Sequence, residues 1–183
     1  MKYGLYGARM QDIADSAGIN KAMLHYYFRS KEKLFDNVFS GALSNYFKQM
    51  DVFSDSSLPI KQRLFKYIDN MFAFLKEYPQ MFLFIIKEIS VNPGLFKEKV
   101  DSIKKNKGIK LINLLEEEIA EGRIRKFDTR IFWINLHSLC AYPFLAAPLF
   151  SHVLSAHNKE WEEFNPVKLK ESVKQFIEKT LDL

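Results

Sequence analysis

Apolar residues recur along this chain with the spacing of α-helices, and the first clear stripe lies near the N-terminus. Met10, Ile13, Ala14 and Ala17 recur at i, i+3, i+4 and i+7, which predicts a short helix. Gly18 is placed to end this helix, because a residue without Cβ readily adopts the left-handed conformation of a helix C-cap. The pattern therefore predicts a short helix followed by a sharp turn.

A second short helix is predicted directly after this turn, with Asn20 as its N-cap. It runs from Lys21 to about Phe28. Its inner face is predicted to consist of Leu24, Tyr27 and Phe28. Its outward side chains are predicted to be Lys21, Ala22, Met23, His25 and Tyr26. Ser30 is then predicted to cap a third, longer helix that begins at Lys31.

Two short helices joined by a glycine-containing turn form a helix-turn-helix, and the outward residues of the second suit DNA. Lys21 and Ala22 lie at the helix N-terminus, the end that enters the major groove in such motifs. His25, Tyr26 and Lys31 are spaced to reach phosphate oxygens, and the start of the third helix would add an anion site. The alternative is an ordinary pair of surface helices with a polar face.

The string DIADSAGINKAMLHYYFRSKEKLF, residues 12–35, resembles the N-terminal domain of TetR-family transcriptional regulators. The pattern of that family runs D-I-A-x-x-A-G-V-S-x-x-x-(L/I)-Y-x-(H/Y)-F-x-(S/N)-K-E-x-L. Ile19 and Asn20 replace the usual Val and Ser, and His25 stands where the family often has Tyr. The residues that fall on the pattern are Asp12, Ile13, Ala14, Ala17, Gly18, Leu24, Phe28, Ser30, Lys31, Glu32 and Leu34.

This resemblance implies an all-α fold with two domains. Residues 1–47 would form a helix-turn-helix DNA-binding domain that is incomplete at its N-terminus, and residues 48–183 a larger helical ligand-binding and dimerisation domain. The partner would be double-stranded DNA with a palindromic operator, read in the major groove by the second helix, with Tyr26 and Lys31 on phosphates. The predicted DNA-contacting residues are Arg9, Gln11, Asn20, Lys21, Ala22, Met23, His25, Tyr26 and Lys31.

The chain departs from the family pattern before the motif. Family members carry a longer first helix there, whereas residues 2–7 correspond only to its tail, and the usual Thr or Ser cap of the next helix is Ala8 or Arg9. The missing helix would otherwise cover apolar side chains of the helix-turn-helix. Each side chain that it no longer buries loses about 1.5–3 kcal/mol of stabilisation. We therefore expect the native protein to have additional N-terminal residues; the alternative is an incomplete DNA-binding domain.

Helical periodicity continues to the C-terminus without a sustained period of two, which predicts an all-α protein. The predicted segments are, in order, a connecting helix from Lys31 to Met50, a loop from Phe53 to Pro59, a helix from Ile60 to Tyr78, an apolar run at residues 81–86 covered on all sides, a break at residues 92–94, a long helix from Phe96 to near Gly122, and the segments Asp128–Ser155 and Pro166–Leu181.

The segment Asp128–Ser155 admits a rival interpretation, because no Asp, Glu, Lys or Arg lies between Arg130 and Lys159 and such a run is long enough to span a bilayer. Against a membrane span stand its polar and proline residues, which are costly in hydrocarbon: Asn135, His137, Ser138, Pro143, Pro148, His152 and His157. The TetR resemblance implies instead that this segment and Pro166–Leu181 pack against their copies in a homodimer. We expect no membrane span.

Composition adds modest bounds. The net charge of +5 and the pI near 9.1 are compatible with a nucleic-acid partner, and 48% apolar residues suit a packed helical protein. Cys140 is the single cysteine and no secretion signal is apparent, so we expect a reducing, cytoplasmic location. No phosphate loop, nucleophile elbow or metal-ligand spacing occurs, so no enzyme, cofactor or metal site is predicted.

The resemblance also implies a small-molecule effector that enters the larger domain and shifts the connecting helix. An aromatic-rich lining would suit a small apolar or aromatic ligand; the alternative, favoured for any single one of these residues, is a place in the core. The predicted lining is Met71, Phe72, Phe74, Tyr78, Phe82, Glu88, Trp133, His137 and Phe144. Two hypotheses follow: a dimeric repressor released by its ligand, or a helical small-molecule-binding protein that no longer binds DNA.

Overall fold

The computed structural model describes residues 7–102, 107–157 and 165–182. The described residues form ten α-helices and no β-strand, which confirms the all-α prediction. The helices are α1 (Met10–Ala17), α2 (Lys21–Phe28), α3 (Lys31–Lys48), α4 (Ile60–Glu77), α5 (Pro79–Val91), α6 (Pro93–Ser102), α7 (Lys107–Ala120), α8 (Thr129–Leu145), α9 (Ala147–His157) and α10 (Pro166–Leu181), with a 3₁₀ turn at Asp51–Ser54. No helix among these residues is both long and apolar enough to cross a membrane.

The described residues divide into two compact units. The first unit comprises those of residues 1–46 and 80–104, and the second unit those of residues 47–79 and 105–183. The predicted domain division after residue 47 stays a prediction, and it differs from these units in the assignment of residues 80–104.

The helix-turn-helix in the first unit has a small core of its own. The buried residues of this core are Met10, Ala14, Leu24 and Leu34, and Ile13 and Phe28 pack against them. Ala17, the fourth member of the predicted stripe, is exposed, because it is the last residue of α1 and the chain turns away immediately afterwards. The core is therefore formed by apolar side chains from α1, α2 and α3.

Aromatic rings join α3 and α5 within the first unit. Phe84 lies edge-on to Phe35 and Phe39, with ring centroids 5.7 and 5.9 Å away. The prediction that residues 81–86 are covered on all sides is wrong, since Leu83 is 50% exposed and Ile86 38%. The run is buried only on the side that packs against α3, and its length misled the sequence-based interpretation.

In the second unit, α4 is the central helix and packs against α8 and α10. Its fully buried side chains are Leu64, Tyr67, Ile68, Met71 and Leu75. The predicted loop at Phe53–Pro59 begins inside the 3₁₀ turn, where Val52 and Phe53 are buried. The C-terminal helix is held to α4 by ion pairs, in which Asp69 lies 2.8 Å from Lys174 and 3.0 Å from Lys170.

The starts of two helices agree with the predicted segments. Asp128 accepts the backbone N–H groups of Arg130 and Ile131, and Asn165 those of Val167 and Lys168, so α8 and α10 begin as expected. The predicted segment from residue 128 to 155 is interrupted at Ala146, shortly before Pro148, whose missing N–H cannot continue a helix. The long helix predicted from Phe96 to near Gly122 includes residues 103–106, which lie outside the described residues.

Candidate nucleic-acid interface

The turn between α1 and α2 has the geometry that its sequence predicts. Gly18 has φ +66° and ψ +27°, the left-handed conformation, and its N–H donates to the Asp15 carbonyl at 3.2 Å. The Asn20 side chain then accepts the N–H of Ala22 at 2.8 Å. Arg9 stands at the N-cap of α1 without a side-chain hydrogen bond to the helix, as expected for a chain that lacks Thr or Ser there. Local chemistry thus fixes the two short helices.

The outward face of α2 carries cationic, polar and aromatic side chains. All five side chains predicted to point outward are exposed: Lys21, Ala22, Met23, His25 and Tyr26. Tyr26 is 70% exposed, and its ring meets that of Tyr27 edge-on with centroids 5.4 Å apart. This face is available to a partner along its whole length.

The placement of Tyr27 on the inner face is wrong. Tyr27 is 67% exposed, whereas Leu24 is buried and Phe28 is half-buried. The core beneath α2 is small, so Leu24 and Phe28 fill it and leave no partner for a third ring. The available signal was that Tyr27 is adjacent to Phe28, because consecutive helical residues point about 100° apart and a narrow inner stripe holds only one of them.

The start of α3 presents Lys31 beside this face. Ser30 caps the helix by accepting the N–H of Lys33 at 3.2 Å. The Glu32 carboxylate accepts its own backbone N–H and the Ser30 hydroxyl, and both hydrogen bonds lower its pKa. Because Glu32 already places a negative charge at the helix N-terminus, the contact with a phosphate rests on the Lys31 side chain. Lys31 is half-buried.

The junction between α2 and α3 is strained. Arg29 has φ +61°, and among the described residues it is the one non-glycine residue with a positive φ. Its N–H donates to the His25 carbonyl at 2.9 Å. This conformation is costly for a residue with Cβ, so the angle between α2 and α3 is enforced by the surrounding packing.

The remaining predicted DNA-contacting residues lie on α1 or just before it. Arg9 and Gln11 are both exposed, and Gln11 donates a hydrogen bond to Asp15 at 2.8 Å. The structure therefore brings all nine predicted residues into one short region, residues 9–31, with eight of them exposed. That they contact DNA stays a prediction.

The predicted ligand-lining residues are distributed over both units. Phe82 and Glu88 lie in the first unit and the other seven in the second. In the second unit, Phe72 and Phe144 have ring centroids 5.3 Å apart, whereas Tyr78 follows α4 and is 42% exposed. Two clefts of the second unit, of about 430 and about 360 Å³, include none of the nine residues. The ligand site stays a prediction.

A polar pair lies inside an aromatic cluster of the second unit. The Tyr67 hydroxyl and His137 Nδ1 are 3.0 Å apart, and the Trp133 ring is 5.7 Å from each of their rings. Burial lowers the pKa of His137 to about 4, so the imidazole is neutral near pH 7 and can accept the tyrosine hydrogen. Burial also raises the pKa of the nearby Cys140 thiol to about 12, which leaves it unreactive. Sequence reasoning missed Tyr67, which looked like any other member of the α4 stripe.

The low pKa of His137 predicts acid sensitivity. Unfolding exposes the imidazole, whose pKa is then near 6.5, so the unfolded state binds a proton that the folded state excludes between about pH 6.5 and 4. Lowering the pH from 7 to 5 should therefore remove about 2 kcal/mol from the free energy of unfolding. Urea unfolding at the two pH values measures this loss.

The His137→Gln variant supplies the comparison, because it keeps a polar side chain but does not titrate. Its free energy of unfolding should fall by about 2 kcal/mol less than that of the wild type over the same pH interval. The His25→Gln variant, at an exposed position, is the matched control and should behave as the wild type. Equal acid sensitivity in the wild type and His137→Gln would contradict the attribution of the acid sensitivity to the low pKa of His137.

No group of three or more His, Cys, Asp or Glu side chains among the described residues is arranged to hold a metal ion.

Comparison with known proteins agrees with this geometry. The family model of bacterial regulatory proteins, tetR family, matches residues 1–38. A Bacillus subtilis (strain 168) protein, "Probable HTH-type transcriptional regulator YttP", is 24% identical over 154 residues, which is 82% of this chain and 74% of that protein.

Two solved structures share the fold over nearly the whole chain. The TetR-family transcriptional regulator PfmR from Thermus thermophilus has a TM-score of 0.69 at 16% identity, covering 98% of this chain and 91% of PfmR. AibR, solved with isovaleryl coenzyme A and operator DNA, has a TM-score of 0.72 at 16% identity, covering 96% of this chain and 89% of AibR. The family is one of transcriptional regulators and not of enzymes. Residues 1–38 of this chain thus match the model of the bacterial regulatory proteins, tetR family, and the chain shares its all-α fold with solved TetR-family regulators.

Proposed function

We propose that this protein is a dimeric repressor that binds a palindromic operator and is released by a small apolar or aromatic ligand. The observation that carries the proposal is the exposed face of α2, which presents Lys21, His25 and Tyr26 beside Lys31. These side chains are suited to phosphate and base contacts, and they sit on a helix whose inner side is fixed by a buried core.

In the proposed complex, the N-terminus of α2 enters the major groove. Lys21, Ala22 and Met23 then lie nearest the base edges. Tyr26 and Lys31 bind phosphates, and Tyr27 joins them because its ring is exposed next to that of Tyr26. Phosphate contacts supply affinity and orientation, while the few groups near the bases supply sequence preference.

Dimerisation through the C-terminal helices would place two copies of α2 on one operator. Exposed apolar side chains are concentrated on α8, α9 and α10, as expected for an interaction surface. They are Ile131, Ile134, Tyr142, Leu145, Leu149, Val153, Val167 and Phe176. Phe176 of α10 is 55% exposed, which suits a surface covered by a second copy. Recognition helices about 34–36 Å apart would meet successive major grooves.

Release by a ligand requires that the ligand bind one spacing of the two recognition helices more tightly than the other. The structure of AibR with isovaleryl coenzyme A and operator DNA supports the idea that this fold serves both kinds of partner. In this chain, α3 is the element through which a ligand would act, because it begins at Lys31 and continues to Lys48. The buried apolar side chains of α3 suit an apolar effector.

Operator capture tests the proposal. The 183-residue chain, and a chain that includes any residues encoded upstream of it, are each incubated with genomic fragments, and the bound fragments are sequenced. We expect recovery of a palindromic site, with the tighter binding by the chain whose helix-turn-helix is better covered. If neither chain enriches any fragment, the DNA-binding function is wrong and a helical small-molecule-binding protein is the better description.

A further inference from the structure

Glu88 occupies an apolar position of α5. Met81, Phe84 and Ile85 recur at the i, i+3, i+4 spacing of one helical face, and residue 88 is the next member of that stripe. Its side chain is only 3% exposed, and among the described residues it is the one charged side chain that is buried. A glutamate therefore stands where the packing pattern calls for an apolar residue, and such departures concentrate at functional sites.

The buried carboxyl group is poorly satisfied by the chain itself. The Asn92 side-chain amide donates to Glu88 Oε2 at 3.3 Å, longer than the 2.7–2.9 Å typical of charge-assisted hydrogen bonds. Within the part of the chain that the structure describes, Glu88 has no ion-pair partner. Glutamate is almost never buried unless it is paired, because removing it from water costs free energy that only a partner restores.

Aromatic rings lie one helical turn from this carboxyl group. Glu88 follows Phe84 by four residues, so the two side chains share one side of α5. Phe84 in turn contacts Phe35 and Phe39 of α3, whose own rings are stacked 5.9 Å apart. Ring faces attract cations and a carboxylate pairs with them, so these groups together favour a positively charged, apolar molecule.

We propose that Glu88 binds the ammonium group of an apolar amine, whose hydrocarbon part packs near Phe84 and the α3 rings. The inference rests on the proposed ligand-responsive function and narrows the effector to this chemical class. An anionic molecule is disfavoured at this position by like charge. The site also has a route to the recognition surface, because Phe35 and Phe39 lie one and two turns after Lys31 on the same helix.

Three probes of equal apolar body and different charge test the inference. Calorimetric titration of the full chain at pH 7 compares 4-phenylbutylamine, 4-phenylbutyrate and 4-phenylbutan-1-ol. The amine should bind at least tenfold more tightly than the carboxylate. The Glu88→Gln variant should lose at least tenfold of the amine affinity, whereas Glu98→Gln, the same change at an exposed position on α6, should bind as the wild type. Equal binding of amine and carboxylate, or unchanged affinity in Glu88→Gln, would overturn the proposal.

A stability measurement separates a ligand site from a structural carboxyl group. Glu88→Met completes the apolar stripe, so it should raise the melting temperature while abolishing selectivity for the amine. A lower melting temperature in Glu88→Met would show that the carboxyl group holds the fold together, and the inference would fail.

Operator binding is measured separately, first without and then with the amine. If the amine binds through Glu88 but does not release DNA, the site stands and the proposed ligand response is wrong. If DNA binds but the amine does not, the inference about Glu88 is wrong and the proposed regulator remains.

Discussion

Replacing Tyr26 and Lys31 together with alanine is expected to abolish binding to the palindromic operator. Tyr26 is 70% exposed on α2, and Lys31 is the first residue of α3, so both are proposed to bind phosphate oxygens. In a twofold complex each substitution removes two contacts, and hydrogen bonds to charged groups contribute about 1.5–3 kcal/mol each. Four lost contacts correspond to a fall in affinity of about ten-thousandfold or more, since every 1.4 kcal/mol is tenfold.

Fluorescence anisotropy with a labelled operator measures this loss over a series of salt concentrations. The slope of log affinity against log salt should become shallower by about 0.9 for each phosphate contact that is lost. The Lys66→Ala variant changes the same charge at an exposed position on α4 and should bind nearly as the wild type. Wild-type affinity and slope in the double variant would exclude the proposed orientation of the helix-turn-helix on DNA.

The parts of this fold that depend on neighbouring residues could be predicted from sequence. Gly18 adopts the left-handed conformation, and Asn20 and Ser30 accept the backbone N–H groups at the starts of α2 and α3. Each of these effects is completed within four residues, so it needs no knowledge of the tertiary structure. The side chains of Asp128 and Asn165 cap the starts of α8 and α10 in the same local way.

Burial was less predictable, because it depends on which elements cover a side chain. Tyr27 shares the helical spacing of Leu24 and Phe28 but is exposed, and Leu83 lies within six consecutive apolar residues yet is half exposed. In both cases the segment is a helix as predicted, and the width of its covered stripe decides which side chains are buried. The width of the covered stripe depends on how α1 and α3 pack against α2 and α5. The apolar spacing within α2 or α5 gives no information about this packing.

The predicted ligand site shows a related limit. Aromatic and sulfur side chains line cores and pockets alike, so composition did not separate Met71, which is fully buried, from Tyr78, which is 42% exposed. Glu88 differs from these residues, because burial of a carboxyl group costs free energy unless it has a partner, whereas burial of a phenylalanine is favourable.

Replacing Ile134 with aspartate is expected to convert the proposed dimer to a monomer. Ile134 is 61% exposed on α8, so the substitution should leave the melting temperature of the protomer nearly unchanged. In a twofold interface the residue occurs twice, and each copy forfeits about 1.5–3 kcal/mol of burial and gains an unpaired charge in an apolar surface. The dimer dissociation constant should therefore rise by about a thousandfold or more.

Light scattering coupled to size-exclusion chromatography measures the mass directly, and Val91→Asp is the matched control. Val91 is 56% exposed at the end of α5, outside the proposed interface, so its variant should keep the mass of the wild type. A monomeric Ile134→Asp protein presents a single recognition helix, and its operator affinity should fall with the lost second half-site. If Ile134→Asp remains a dimer of unchanged affinity, the α8 face is not the interface. The exposed apolar residues on α9 and α10, beginning with Phe176, are then the alternative dimer surface to test in the same way.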